Sequence, residues 1–83
     1  MDIAGKLKEI LLQILDVKQD QIVPTAMFVE DLGATSLDVV EILTAIENSF
    51  NIVLDESDGT ELKTVQDAVD RIEMMVGQKM ATA

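Results

Sequence analysis

Residues 33–50 read GATSLDVVEILTAIENSF, and this stretch decides the fold. Its apolar residues recur at spacings of three and four, which is the period of one face of an α-helix. They are Val39, Ile42, Leu43, Ile46 and Phe50. Thr35 and Asp38 have the spacing of a capping box, with Asp38 in place of the usual Glu or Gln. We therefore predict a helix over Ser36–Phe50, with Ser36 in its first turn.

The opposite face of this helix carries aliphatic side chains among polar and acidic ones. A helical wheel places five residues there, flanked by Asp38 and Glu47. The five are Leu37, Val40, Glu41, Thr44 and Asn48. Because single exposed apolar residues are common on protein surfaces, the wheel leaves both a plain solvated surface and a binding face open.

The segments before this helix predict another helix and a long loop. Apolar residues recur with a helical period from about residue 3 to 16, and Asp2 is placed to cap that helix. Residues 17–34 lose the period and contain Pro24 and Gly33. A loop this long is unusual unless it is functional or held by its own side chains, and we expect Phe28 to hold it in the core.

The remaining segments complete a helical chain. Residues 52–54 form a short apolar run, which we interpret as a buried connector because a lone strand is not viable. A weak helical turn is expected over residues 56–61. A last helix begins after Thr64 and ends at Gly77. The sequence thus predicts an all-α domain over residues 1–76, with three main helices, one short irregular helix and a long first loop. Residues 77–83 are expected to form a flexible tail.

Composition excludes several classes of function. The 83 residues include no Cys and no His, and 16 acidic against 6 basic residues give a formal charge of −10. Such a chain would be repelled by nucleic acid and by anionic membranes. No apolar run reaches the roughly 20 residues of a membrane span, and no export signal is visible, so we expect a cytoplasmic protein. The lack of His and Cys argues against autonomous catalysis.

The negative charge is concentrated in the middle of the chain. No basic residue lies between Lys18 and Lys63, whereas that interval holds ten acidic residues. They are Asp20, Glu30, Asp31, Asp38, Glu41, Glu47, Asp55, Glu56, Asp58 and Glu61. This acidic surface has two interpretations, namely solubility alone or docking of basic partners.

Two candidate chemistries follow from single motifs. The run Asp55–Leu62 lacks the Gly and Glu positions of a calcium-binding EF-hand loop, so we predict no specific metal site. As a nucleophile, Ser36 would need a nearby base, and His is absent. As the attachment point of a phosphate-linked group, it needs only exposure at a helix start, where backbone N–H groups favour an anion. From the residues alone, an ordinary serine in a first helical turn remains the simpler interpretation.

The wider sequence context resembles the acyl carrier proteins. Their attachment motif, Asp-Ser-Leu preceded by Leu-Gly and followed by an acidic helix, is similar to residues 29–38, VEDLGATSLD. The similarity continues through Val40-Glu41, Ala45-Ile46-Glu47 and Phe50. It also includes Leu15-Asp16-Val17-Lys18, Phe28 and Thr64-Val65-Gln66 with Ala68, and so covers nearly the whole chain.

The resemblance implies a four-helix bundle whose Ser36 carries 4′-phosphopantetheine. A separate phosphopantetheinyl transferase would donate this group from coenzyme A, and its thiol would hold an acyl group as a thioester. The imported thiol would explain a carrier without Cys or catalytic residues of its own. Partner acyltransferases, ketosynthases or ligases with basic patches would bind the monomeric carrier at Leu37, Asp38, Val40, Glu41 and Glu47. An apolar interior would shelter the acyl chain, and it would include Phe28, Ile46, Leu54, Leu62 and Ala68.

The sequence departs from the family pattern at the attachment site and on the second helix. Thr35 replaces the usual Asp before the serine, which puts recognition by a given transferase in doubt. Thr44, Asn48 and Ser49 make the helix less acidic than in housekeeping fatty-acid carriers. These differences indicate a specialised carrier for polyketide, lipid-modification or aminoacyl chemistry. Two alternatives remain, namely an aminoacyl or peptidyl carrier and an acidic interaction module that is never modified.

Overall fold

The computed structural model describes the backbone of residues 2–81 and the side chains of residues 2–55 and 57–77. Its α-helices are α1 (Ile3–Ile14), α2 (Ser36–Phe50), α3 (Glu56–Glu61) and α4 (Val65–Ala81), with a short 3-10 helix at Gln19–Gln21. The described residues form no β-strand, only an isolated bridge between Met27 and Thr64. The predicted all-α class, with three main helices and a short one, is confirmed.

The core lies where α1 packs against α2 and α4. Leu7 and Leu11 of α1, Ile46 of α2 and Ile72 of α4 are fully buried. Removing one such side chain from water stabilises the fold by about 1.5–3 kcal/mol. α1 ends two residues before the predicted boundary because Leu15 is extended, although its side chain still enters the core.

The long loop between α1 and α2 is held by its main chain as well as by its side chains. Phe28 is buried, as predicted, and its N–H donates to the Lys63 carbonyl at 2.9 Å. In the other direction, the N–H of Val65 donates to the Ala26 carbonyl at 3.0 Å. A further bond of 3.0 Å runs from the Gln66 N–H to the Pro24 carbonyl. The loop is therefore fastened to the first turn of α4.

Two predictions for the chain after α2 are wrong, one of burial and one of a helix end. The apolar run after α2 is not uniformly buried, because Val53 is 77% exposed while Ile52 is buried. Asn51 adopts a left-handed conformation (φ 55°) and reverses the chain, so the next residues alternate between core and solvent. The last helix does not end at Gly77, because α4 continues to Ala81. Of the predicted tail, residues 82 and 83 lie outside the described residues, and its flexibility stays a prediction.

Polar contacts hold the six-residue helix α3 in place. Asp55 caps its start by accepting the N–H groups of Ser57 and Asp58, and the Asp55 N–H donates back to Asp58 at 2.8 Å. The other oxygen of Asp58, a buried carboxylate, accepts from the Arg71 guanidinium of α4. Arg71 also donates to exposed Glu61 at 2.7 Å. This bond to Glu61, helped by the charge of Asp58, raises the pKa of Arg71, so its charge is permanent.

Replacing Arg71 tests the contribution of the buried half of this network. Arg71→Met keeps the apolar stem but leaves Asp58 with an unsatisfied buried oxygen, and we expect a loss of about 1–3 kcal/mol in the free energy of unfolding. Glu61→Gln is the matched control, because it alters only the exposed pair and should cost under about 1 kcal/mol. Urea unfolding measures both. Equal losses would show that Asp58 does not depend on Arg71.

A pH dependence follows from the carboxylate that caps α4. The Asp67 side chain accepts the N–H groups of Thr64 at 3.1 Å and Lys63 at 3.2 Å. These bonds, the one from Thr64 most, hold the pKa of Asp67 below its ordinary 3.8. Since the folded-state pKa is lowered, the stabilisation is fully present above pH 3.8 and is lost as the pH falls through the lower folded value.

Asp67→Asn should therefore lower stability at neutral pH and remove part of the acid dependence. The stability difference from the wild type should shrink as the pH falls below 3.8. Urea unfolding at a series of pH values measures this difference. Glu73→Gln is the control, because it neutralises an exposed carboxylate of the same helix without breaking a cap. A difference that stays constant with pH would contradict the assignment.

Candidate functional site

A reciprocal cap fixes where α2 begins and so where Ser36 lies. The Asp38 N–H donates to the Thr35 hydroxyl at 3.2 Å, and the Thr35 N–H donates to the Asp38 carboxylate at 3.0 Å. This capping box confirms the predicted one. Ser36 is therefore the first residue of α2, and it is exposed. Among the described residues, its hydroxyl makes no hydrogen bond.

The turn before Ser36 is shaped by a glycine and by local hydrogen bonds. Gly33 has a φ of 71°, in the left-handed region that favours glycine. The next residue, Ala34, is buried, and its N–H donates to the Phe28 carbonyl at 2.8 Å. The Met27 N–H donates to the Asp31 carboxylate at 2.7 Å. These contacts hold the residues before α2 on the core, so that the chain turns outward at Ser36.

Ser36 lies on the wall of an open groove of about 510 Å³. The groove separates the end of the long loop and the start of α2 from α3. Its other lining residues are Val29, Ala34, Thr35, Val39, Gly59 and Thr60. A neighbouring groove of about 290 Å³ shares Val29, Val39, Gly59 and Thr60 with it, and extends to Glu30 and Lys63. The surface beside Ser36 thus combines aliphatic side chains with hydroxyl groups.

A small apolar cavity lies beneath these grooves, between α2, α3 and α4. It admits the centre of a water-sized sphere over only about 10 Å³. Its lining residues are Phe28, Val39, Ile42, Leu43, Ile46, Gly59, Leu62 and Ala68.

Four of the five residues predicted to shelter an acyl chain line this cavity, and Leu54 does not. Leu54 is half-buried beyond the end of α2. The sequence prediction missed Val39, Ile42, Leu43 and Gly59. The first three could have been found, because they continue the inner apolar face of α2.

The predicted docking residues fall into two groups. Leu37 and Val40 are 66% and 57% exposed, and Glu41 is exposed beside them. Asp38 and Glu47 are half-buried, and one oxygen of each carboxylate accepts a hydrogen bond from the chain. Asp38 closes the cap of α2, and Glu47 accepts the N–H of Leu54 at 3.0 Å. Leu37, Val40 and Glu41 are exposed and make no side-chain hydrogen bond to the described residues, and we call these three the exposed face of α2.

Comparison with protein-family models identifies the family. Residues 5–72 match the model described as the phosphopantetheine attachment site. The chain belongs to this family of phosphopantetheine-binding carriers. Membership implies a covalently attached 4′-phosphopantetheine group. Carrier domains of this kind are modified by phosphopantetheinyl transferases, interact with biosynthetic enzymes and are generally not catalytic themselves.

The residues around Ser36 fit this cofactor. A phosphopantetheine carrier needs an accessible hydroxyl and a surface on which an arm with both polar and apolar segments can rest. The Ser36 hydroxyl is exposed and makes no bond to the described residues, and the adjoining groove has both kinds of lining. Ser36 would hold the phosphate, and Thr35, Val39 and Thr60 would line the path of the arm. When bound, the group supplies the thiol that the sequence lacks.

Two further findings on the described residues concern membrane spans and metal sites. None of their helices has the length and apolar character needed to cross a bilayer. Nowhere among them do three acidic side chains gather in a way that could hold a metal ion.

Proposed function

We propose that the protein is an acyl carrier that bears 4′-phosphopantetheine on Ser36 and presents acyl thioesters to biosynthetic enzymes. The observation that carries this proposal is the exposed Ser36 hydroxyl in the first turn of α2, at the edge of the groove that adjoins the apolar cavity. The family match supports the cofactor, and the cavity supports an acyl cargo.

The chain accepts the cofactor without activating its own serine. The Ser36 oxygen attacks the phosphorus next to the pantetheine of coenzyme A, the pyrophosphate bond breaks to release 3′,5′-adenosine bisphosphate, and the hydroxyl gives up its proton to a base. Among the described residues, no basic side chain lines the groove beside Ser36, so the base that removes the proton belongs to the partner transferase. The carrier therefore acts as a substrate, and it contributes position rather than catalysis.

The start of α2 favours the phosphate once it is attached. The Asp38 N–H donates to the Thr35 hydroxyl and the Val39 N–H to the Thr35 carbonyl, whereas the N–H groups of Ser36 and Leu37 make no bond to the described residues. An anion at such a helix start is stabilised by about 0.3–1 kcal/mol. The Asp38 carboxylate is negative, but its bond to the Thr35 N–H keeps it within the cap.

The exposed face of α2 is the proposed docking surface. Leu37 and Val40 supply apolar contacts next to the attachment site, and Glu41 supplies charge. Lys or Arg residues of an acyltransferase, ketosynthase or ligase would meet that charge. Because carboxylates at the rim of an interface mainly raise the association rate, they suit a carrier that must also dissociate. Asp38 and Glu47 each keep a carboxylate oxygen that accepts no bond from the described residues, so both can add charge beside this surface.

Intact-mass measurement tests the attachment site. Apo protein incubated with coenzyme A and a promiscuous phosphopantetheinyl transferase should gain one phosphopantetheine unit, and Ser36→Ala should gain none. Ser49→Ala, which alters an exposed serine near the end of the same helix, is the control and should be modified like the wild type. An unmodified wild type would favour an interaction module, and a modified Ser36→Ala would place the site elsewhere.

Charge reversal tests the docking surface. Glu41→Lys should slow transfer by a cognate enzyme roughly threefold to tenfold at low salt, because it reverses the charge at the rim. The difference should diminish as salt is added. Glu73→Lys, an exposed position on α4, changes the net charge equally and should leave the rate near that of the wild type. Equal slowing of both variants would mean that net charge, not the exposed face of α2, governs docking.

A further inference from the structure

Gly59 lies where the surface grooves meet the buried cavity. Together with Val39, it lines the groove beside Ser36, the neighbouring groove and the cavity itself. We propose that Gly59 is a specificity-determining residue, whose missing side chain leaves the doorway through which an apolar acyl chain passes from the arm on Ser36 into the cavity. The doorway is the gap between Gly59 of α3 and Val39 and Leu43 of α2. This proposal rests on the proposed carrier function.

The backbone does not explain the glycine. Among the described residues, a positive φ occurs only at Asn51 and Gly33, so Gly59 has a conformation that any residue can adopt. Its position in the middle of the six-residue helix α3 is one where glycine lowers helix stability relative to alanine. Gly59 therefore weakens a short helix although its backbone conformation does not require glycine, and its presence needs another explanation.

Space gives that explanation. A Cβ atom at position 59 would lie 3.2 Å from Cδ1 of Leu43 and 3.9 Å from Cγ1 of Val39. Even one methyl group would therefore occupy the gap between α2 and α3 and press Leu43 toward the cavity that it lines. A branched side chain would close the gap.

The polar contacts of α3 fix the distance between α3 and α2 across this gap. Asp55 caps the start of α3, and Arg71 of α4 holds Asp58, the residue next to Gly59. Because α3 is anchored in this way, the width of the gap depends mainly on the side chains at positions 39, 43 and 59. Val39 and Leu43 are half-buried and can adjust their rotamers, whereas a Cβ atom on residue 59 would be fixed by the helix.

The lining of the cavity favours a hydrocarbon chain as the occupant. No polar side chain is among its eight lining residues. A keto, hydroxyl or amino group on the cargo would find no side-chain partner there, and burial without a hydrogen bond is unfavourable. The small volume in the present structure means that the chain enters as Leu43 and its neighbours move apart.

Loading with acyl chains tests the doorway. Four proteins are compared, namely the wild type, Gly59→Ala, Gly59→Val and Gly77→Ala. One sample of each is modified with pantetheine and another with an octanoyl-pantetheine amide analogue. Intact mass verifies the loading. Gly77 is the matched control, since it is also helical but a Cβ atom added there would meet no atom within 4 Å. Thermal melting then gives the rise in Tm caused by the octanoyl chain, and isotope-edited NMR detects contacts between that chain and the Leu43 and Ile46 methyl groups.

We expect the octanoyl chain to raise the Tm of the wild type and of Gly77→Ala equally. The rise should fall by about half in Gly59→Ala and vanish in Gly59→Val, together with the methyl contacts. Before loading, Gly59→Ala should melt no lower than the wild type, because its gain in helix propensity offsets the shift of Leu43. This separates blocked passage from general damage even if Gly59→Val is poorly folded.

The outcomes separate the two proposals. Normal loading with an unchanged Tm rise and unchanged methyl contacts in Gly59→Ala would overturn the doorway and leave the carrier function standing. Failure of the wild type to load would overturn the carrier function, and the doorway with it. An equal loss of the Tm rise in Gly77→Ala would also overturn the doorway, because the effect would then follow from helix propensity.

Discussion

The structure depends on main-chain hydrogen bonds that tie the long first loop to the start of α4. The N–H of Phe28 donates to the carbonyl of Lys63, and the N–H of Val65 donates to the carbonyl of Ala26. Two segments far apart in sequence are thus held together by an isolated antiparallel β-bridge. This places the Phe28 side chain in the core and leaves only a few residues to reach the start of α2. The position of Ser36 is thus set by contacts on its N-terminal side as much as by its own helix.

The described residues around Ser36 position its hydroxyl but provide no reactive group of their own in the adjoining groove. The Thr35–Asp38 cap settles which residue comes first in α2, and that residue is a serine whose hydroxyl has no partner among the described residues. Under the proposed function, the cofactor would contribute the thiol, and other proteins would contribute the proton acceptor and the catalysis. A domain of 83 residues can serve such chemistry because it needs to keep only one hydroxyl accessible.

Local features of the sequence predicted most of the fold and the outer part of the site. The period of the apolar residues and the capping pair gave the bounds of α2, and the helical wheel placed Leu37, Val40 and Glu41 on its outer face. Features that depend on residues distant in sequence were not predictable in this way. Arg71 donates to Asp58, which lies 13 positions earlier in the sequence. The lack of space for a Cβ atom at Gly59 arises only because α3 packs against Leu43 of α2. The bond from the Leu54 N–H to Glu47 was likewise not predictable, because it depends on the turn at Asn51, and the docking role of Glu47 stays a prediction.

The way in which α3 is held makes part of its attachment sensitive to salt. This helix is short and is held on α4 chiefly by charged groups, because Arg71 donates to both Asp58 and Glu61. Part of the attachment is the exposed pair of Arg71 and Glu61, which ions in solution weaken. Added salt therefore loosens the outer contact of α3, whereas the bond from Arg71 to the buried Asp58 keeps the helix in place.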